Sequence, residues 1–515
     1  MSEAEESDVA LQQKHDEGLL LAQTLSPEEY KRIERRLRFK LDLQIVPLCL
    51  LLYFLSFLDR TNIGQAKLNG LQKDLLKSSM DYTIALVVLY PPYIVLEIPS
   101  NLVLKRIGPK FWIPLLVVCW GIVSTLQGIV KSRTGLYINR AFLGAAEAGI
   151  LPGIAVYLTF FYKPRELQLR QALFFTGAAL SGAFSGLLAA AIGKMNGKAG
   201  LAGWSWIFIL EGIFTVVMGV CCIYFLPNST DDCWGLTQVE KRMAKERLSS
   251  SNVRFIRREE LSEKVRDEEL IHSKTNDASE VPAEKRDPWL RHTLRTFTDP
   301  LLLLLCAVGF CCATPVYSVS YFSPTIVKSI LDHPTNTHAM LMSCPPFACA
   351  FVYGVTIALL SDYFRLRVIT ALPGMILSTI GFAIVYASHH PMTRYGGIII
   401  LTCGAYSLPP ALFTWIANNS DGHYKRATAL ALLIVFTNCG GLTSAFLFKD
   451  SEAPRFSRGV MTNLILSAVG AGLVIIIELY ILYERRQRES GKRDARVLKL
   501  YRDTKWDNEQ MRNYL

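Results

Sequence analysis

The stretch "CLLLYFLSFLDRTNIG", Cys49 to Gly64, is almost pure hydrocarbon until Asp59 and Arg60 stand side by side. A charge at the centre of a membrane helix costs about 2.5–3.5 kcal/mol on insertion scales, so each one needs a reason. At 1.5 Å per residue, Asp59 falls roughly 21 Å along a helix from Ile45, in the far third of a bilayer. "TNIGQA" continues without a breaker before Gly64. The helix therefore runs past the pair, and one or both charges face a polar cavity. An interfacial ion pair that ends the span is the plainer alternative.

The rest of the chain has the same character. Of 515 residues, 51% are hydrophobic and 19% charged, with a mean hydropathy of +0.26. Soluble domains carry roughly 25% charge, so the depletion points to a polytopic membrane protein. The net charge is +11, but no zinc spacing or nucleic-acid motif accompanies it, so nucleic acid is not an expected partner. The cations crowd the ends of apolar runs, as they do at cytoplasmic faces. Most of the twelve cysteines lie inside apolar runs with no CxxC, which reads as packing; no metal or other cofactor is expected.

Twelve apolar stretches can be read, each near the 20 residues that cross a bilayer. They fall at 43–63, 82–104, 111–130, 135–160, 170–193 and 205–226, then at 299–322, 338–360, 367–388, 395–417, 427–448 and 460–483. The expected organisation is a tail at 1–40, a six-helix bundle at 41–226, a linker at 227–298, a second six-helix bundle at 299–483 and a tail at 484–515. The linker is charged and poor in apolar runs, so it cannot pack alone. Lys/Arg bias places both tails and the linker in the cytoplasm.

Charges inside spans are the candidate site. Arg140 and Glu147 in "NRAFLGAAEAG" are two helical turns apart on nearly one face. Glu147 is then either a structural acid locked to an arginine or a titrating acid. Glu97 reads as an acid near the inner mouth, and Glu211 in "WSWIFILEG" is similar. The second half offers aromatics instead: Tyr317, Tyr321, Tyr406 and Trp415, with Asn418 following. Pro324, Pro345-Pro346 and Pro409-Pro410 are expected to interrupt these spans and expose backbone groups. Gly149-x-x-x-Gly153 and Gly182-x-x-x-Gly186 read as close-packing pairs. Arginines and acids on one side and hydrogen-bonding aromatics on the other suit a small organic anion, since a guanidinium grips carboxylate by a fork.

The segments "FLDRTNIGQAKLNGLQKDL", "EIPSNLVLKRIGPKFW", "RAFLGAAEAGILPG", "LAGWSWIFILEG" and "CGAYSLPPALFTWIANNSDGHYKRA" resemble the anion:cation symporter family of the major facilitator superfamily, most closely its fungal allantoate permease branch and the nicotinate-permease-like members within it. The resemblance covers about residues 43–483. It implies an all-α fold of 12 transmembrane helices in two six-helix bundles, no enzyme activity, and proton-driven import of a small carboxylate such as nicotinate, pantothenate, biotin or allantoate. By resemblance, Asp59 and Glu147 are the proton sites, and Arg60 and Arg140 bind or gate the carboxylate. "LKRIGPK", with Lys105 and Arg106, lacks the acid of the superfamily's usual loop signature, whereas Asp362, near Arg365, keeps one. These four and Glu97 are the expected inner gate. A plasma-membrane monomer is expected, with an internal membrane as the alternative location. A non-transporting nutrient sensor and an exporter are the competing functions.

Overall fold

The computed structural model describes residues 26–248, 297, 299–331, 334–364, 368–418 and 423–489. All regular structure among them is helical. Ten helical stretches are long and apolar enough to cross a membrane, and the shorter apolar helices Ala371–Ala387 and Thr428–Ser444 fill the remaining expected places. Each of the twelve apolar stretches thus has a helical counterpart.

In the first half, α1 is Pro27–Ala66, α2 Ser79–Val87, α3 Tyr90–Ile107, α4 Pro109–Gln127, α5 Arg133–Glu147, α6 Ile150–Thr159, α7 Pro164–Ile192 and α8 Gly203–Phe225. Residues 238–248 form a further helix, α9. The second half has α10 Pro300–Ile330, α11 Asn336–Met342, α12 Cys344–Phe364, α13 Val368–Ala387, α14 Pro391–Ser407, α15 Pro409–Asn418, α16 His423–Ser444 and α17 Ser457–Glu489. Helix α1 packs on α7 and α4 on α8; α10 packs on α16, and α13 on α14 and α17. The two halves meet along α7 and α12 and along α1 and α10.

Proline pairs break two spans as expected: α11 gives way to α12 at Ser343, and α14 to α15 at Leu408. Pro324 does not. Helix α10 runs through it unbroken. A ring inside a helix removes one ladder bond and loosens the turn before it. In that turn, beside the Ser320 carbonyl that Pro324 leaves without its ladder donor, the Tyr321 carbonyl accepts a hydrogen bond from the Tyr82 hydroxyl at 3.1 Å, so a neighbouring helix braces the loosened turn.

The glycine pairs divide. A Cβ on Gly182 would strike the Phe347 ring, and one on Gly186 would meet the Met340 carbonyl, so this pair does set the approach of α7 to α11 and α12. Gly149 acts differently. Its φ is +91°, in the left-handed region that favours glycine. There the expected 135–160 span breaks into α5 and α6, leaving Glu147 as the last residue of α5.

At the end where α1 begins, here the tail end, α1 extends well beyond its apolar run and ion pairs gather around it. Lys40 bonds Glu240 of α9 at 2.7 Å. Arg247 lies 2.5 Å from Glu166 and 3.2 Å from Glu34, and Arg170 pairs with Asp42 at 2.6 Å. All of these residues belong to α1, the start of α7, or α9. Burial alone would raise the Glu240 carboxyl, but bonds from Lys40 and Thr237 outweigh it and hold it below its ordinary value. Its stabilising effect is therefore present above the ordinary carboxyl range and lost as pH falls through the lowered value.

Gly149→Ala should destabilise the fold by about 1–2 kcal/mol, because an L-residue pays that for a left-handed φ. The added methyl also meets the Ser100 side chain. Gly153→Ala, whose Cβ finds only ordinary contact at 3.5 Å from Leu104, should be near neutral. Thermal unfolding of the two variants in detergent separates them.

Candidate functional site

Adjacent helical residues point about 100° apart. Asp59 and Arg60 therefore cannot face the same neighbour, and the two charges part company. Arg60 turns toward the second half: its Nη1 donates to the Tyr317 hydroxyl at 2.6 Å, and its Nε to Glu147 Oε1 at 3.2 Å. The Ser56 hydroxyl, one turn earlier on α1, donates to the same carboxylate oxygen. The guanidinium lies 5.1 Å from the Tyr93 ring centre, 5.5 Å from Phe57 and 5.7 Å from Tyr317. This is an aromatic cage around a buried cation; Arg60 is 4% exposed.

Asp59 turns into the first half. It accepts from the Trp120 indole N–H and from the Ser124 hydroxyl of α4, the latter at 2.6 Å. The member of the pair that faces the second half is therefore Arg60, with Asp59 held behind it. Arg140 is also buried, with its guanidinium 5.9 Å from the Phe208 ring and within electrostatic range of Asp59. Its Nε and Nη2 have no hydrogen-bond partner among the described residues. The two-turn spacing of Arg140 and Glu147 does not yield an ion pair: Glu147, at the α5 terminus, is held by α1. Two further acids are enclosed. Glu211 accepts from Asn62, whose own carbonyl accepts from Ser185 at 2.6 Å. Glu97 is 2% exposed, and neither of its oxygens has a partner among the described residues.

The second half brings tyrosines. The Tyr321 and Tyr90 hydroxyls lie 2.5 Å apart, and Tyr321 stacks on Tyr317 at 5.7 Å. Tyr406 shares a 2.6 Å bond with Ser320 of α10, one turn from Tyr317. Trp415 is buried on α15. Asn418 ends α15, and its side chain lies outside the described residues. Sequence reasoning missed Ser56, Tyr90, Tyr93, Asn62 and Trp120. The available signal was helical phase: Ser56 is four residues before Arg60, and Tyr93 four before Glu97.

A family model described as Major Facilitator Superfamily matches residues 49–445. The chain belongs to the Major Facilitator Superfamily. A high-affinity nicotinic acid transporter of Saccharomyces cerevisiae is 28% identical, over 91% of this chain and 81% of that protein. An uncharacterised transporter of Schizosaccharomyces pombe is 30% identical, over 90% of this chain and 85% of that one. The solved bacterial homologue of the human lysosomal transporter Spinster superposes with a TM-score of 0.59 at 15% identity, covering 85% of this chain and 97% of that one; this likeness concerns the fold alone. The protein is a multi-pass membrane transporter and not an enzyme.

Of the five expected gate residues, the described side chains are those of Arg106 and Glu97. Arg106 is exposed, the side chains of Lys105 and Asp362 lie outside the description, and Arg365 lies wholly outside it. Glu97 is buried near Arg60 instead. The polar seal between the halves forms at the opposite end, here the far end. Lys67 bonds Asp450 at 2.8 Å and lies 4.6 Å from the Tyr82 ring centre. Gln72 bonds the other Asp450 oxygen at 3.1 Å, Asn336 bonds the Leu68 carbonyl at 2.8 Å, and Gln65 bonds Ser343 at 3.2 Å. Toward the tail end, the halves touch through Phe175 and Phe413 at 4.8 Å and through Gln171 and Thr414 at 3.4 Å. The molecule is sealed at the far end.

Asp450→Asn should weaken that seal, leaving the buried Lys67 ammonium without a compensating charge. A loss on the order of 1–2 kcal/mol is expected, since Asp450 is partly exposed and solvent screens the pair. The charge swap Lys67→Asp with Asp450→Lys should recover part of it. Thermal unfolding of the single and double variants, read as a double-mutant cycle, measures the coupling.

Proposed function

We propose that the protein imports a small organic monocarboxylate together with protons, as a member of the anion:cation symporter family's allantoate permease branch. The observation that carries this reading is the Arg60–Glu147 ion pair, caged by aromatics and joined to Tyr317 of the other half. Arg60 holds the only guanidinium that touches both halves among the described hydrogen bonds. An arriving carboxylate competes with Glu147 for it. Once displaced, Glu147 becomes an uncompensated carboxylate in a dry bundle, which is costly enough that it takes up a proton. Substrate and proton then load as one event, and the loaded site carries no extra charge.

The cage supports a substrate with a flat body. Phe57 and Tyr317 stand nearly parallel, 15° apart in plane and 6.2 Å between ring centres. A planar ring carrying one carboxylate, of the nicotinate kind, suits stacking on one face of this aromatic cage beside the arginine. The yeast relative named for nicotinic acid transport is consistent with this class.

The proton count follows from charge balance. Four buried carboxyls, Asp59, Glu97, Glu147 and Glu211, share the first-half interior with two guanidiniums, Arg60 and Arg140. Neutrality of such an interior leaves room for two protons. One proton per monoanion is electroneutral; a second adds voltage drive of about 2.3 kcal/mol per 100 mV. In the proposed orientation the tails face the cytoplasm of a plasma-membrane protein, the 41–226 and 299–483 units rock against each other, and the far-end seal closes the outside.

The test is uptake into proteoliposomes of labelled nicotinate, with pantothenate, biotin and allantoate in parallel. Accumulation should rise as the outside is made acid and collapse with a protonophore. Glu147→Gln should lose accumulation while keeping substrate-for-substrate exchange; accumulation against a gradient by this variant overturns the reading. Tyr317→Phe should raise the half-saturation constant roughly ten-fold, because a hydrogen bond to a charged group is worth about 1.5 kcal/mol or more.

A further inference from the structure

Residues 27–40 of α1 project beyond its apolar run and present two unlike faces. Inward, Leu37 and Leu41 are buried, Glu34 holds Lys163 and Arg247, and flanking Arg38 and Lys40 are taken up by Glu166 and Glu240. Outward, at 3.6 residues per turn, Arg32, Arg35, Arg36, Phe39 and Leu43 share about 100° of the helix surface. The three arginines are exposed, and Phe39 and Leu43 are each 68% exposed. Among the described residues no carboxylate pairs with any of the three. Glu28, exposed four residues before Arg32, offsets part of this charge; like charges spaced three and four apart on a helix repel, and the net positive face attracts an anion from outside the fold.

Height along the helix identifies it. The Trp234 amide donates to the Gln44 side chain at 3.2 Å, and Lys40 bonds the Gly235 carbonyl at 2.7 Å. The 234–235 turn therefore sits level with residues 40–44. Trp234 is 62% exposed and lies against Phe225 at 5.4 Å. With Phe39 it makes an aromatic belt of the kind that marks the hydrocarbon edge. From Phe39, Arg36 stands about 4.5 Å and Arg32 about 10.5 Å further out at 1.5 Å per residue. The headgroup layer on one side of a bilayer is roughly 5–8 Å thick. Arg35 and Arg36 thus stand within that layer and Arg32 just outside it, above exposed apolar side chains.

We propose that Arg32, Arg35 and Arg36 form a binding surface for anionic phospholipid headgroups, with acyl chains lying along Phe39 and Leu43. Juxtamembrane cations of this kind draw anionic lipid through charge, each contributing independently. The surface depends on neither the transported solute nor the proton coupling.

The full-length protein is purified in detergent and exposed to equal amounts of phosphatidylserine and phosphatidylcholine, and retained lipids are counted by native mass spectrometry. The wild type should retain phosphatidylserine preferentially. Each Arg→Gln substitution among the three should lower that preference about five-fold, and the triple Arg→Lys variant should keep it. Unfolding midpoints without added lipid should match across the set, since the three arginines are exposed and pair with no carboxylate among the described residues. Equal retention by the wild type and the triple Gln variant overturns the proposal. So does a preference that appears only after Glu3, Glu5, Glu6 and Asp8 are neutralised, which would make the chain's own acidic stretch the occupant.

Discussion

A guanidinium buried in an apolar bundle must be compensated, and the Arg60–Glu147 pair meets that requirement here. The demand shapes its surroundings. Gly149 turns the chain out of helix directly after Glu147, which frees the carboxylate at a helix end to reach α1. Ser56 adds a donor to the same oxygen, and Tyr317 takes another arginine N–H. A pair so enclosed is poor evidence for stability, because desolvation consumes most of the attraction. Its value lies in being breakable by a competitor of the same chemistry, a carboxylate.

The division of labour between the halves follows from that. Among the described residues, the first half supplies the buried charges around the site: Asp59, Arg60, Glu97, Arg140, Glu147 and Glu211. The second half supplies hydroxyls, through Tyr317, Tyr321 and Tyr406. A phenol satisfies an arginine N–H without fixing a counter-charge, so the two halves are bound by bonds that can be exchanged. Had α10 carried an aspartate at Tyr317, the contact between halves would have been a second buried ion pair, far harder to part.

The spans are legible in the sequence because a bilayer crossing demands a long apolar run, and that demand acts on each segment alone. Individual charges inside the runs are legible for the same reason: each violates the local rule. Partners are not legible. The Arg140–Glu147 spacing suggests one helix and one pair, yet Glu147 ends α5 and bonds α1. Asp59 reads as a cleft residue, but Trp120 and Ser124 claim it. Pro324 reads as a break, but Tyr82 supplies a donor to the loosened turn. In every case the deciding atom lies on another helix, and no spacing within one helix encodes it. The far-end seal was hidden differently. Lys67 caps the end of α1 and Asp450 sits in the short turn before α17, places where a charge is unremarkable until the fold brings the two together.

The two ends of the molecule are held by unlike means, and the contrast constrains how it moves. At the far end, Lys67, Gln72, Gln65 and Asn336 bond across the halves, so parting them breaks several polar contacts together. At the tail end the ion pairs of Glu34, Asp42, Glu166 and Glu240 all stay within α1, α7 and α9. That brace travels with the first half whatever the second half does. Between the halves toward the tail end, the described residues include the Phe175–Phe413 ring contact and the Gln171–Thr414 hydroxyl bond. Opening at the far end breaks those polar contacts and needs a compensating interaction elsewhere. Occupation of Arg60 is positioned to provide it, because Lys67 follows directly on the end of α1, two helical turns past Arg60, and a tilt of α1 moves both.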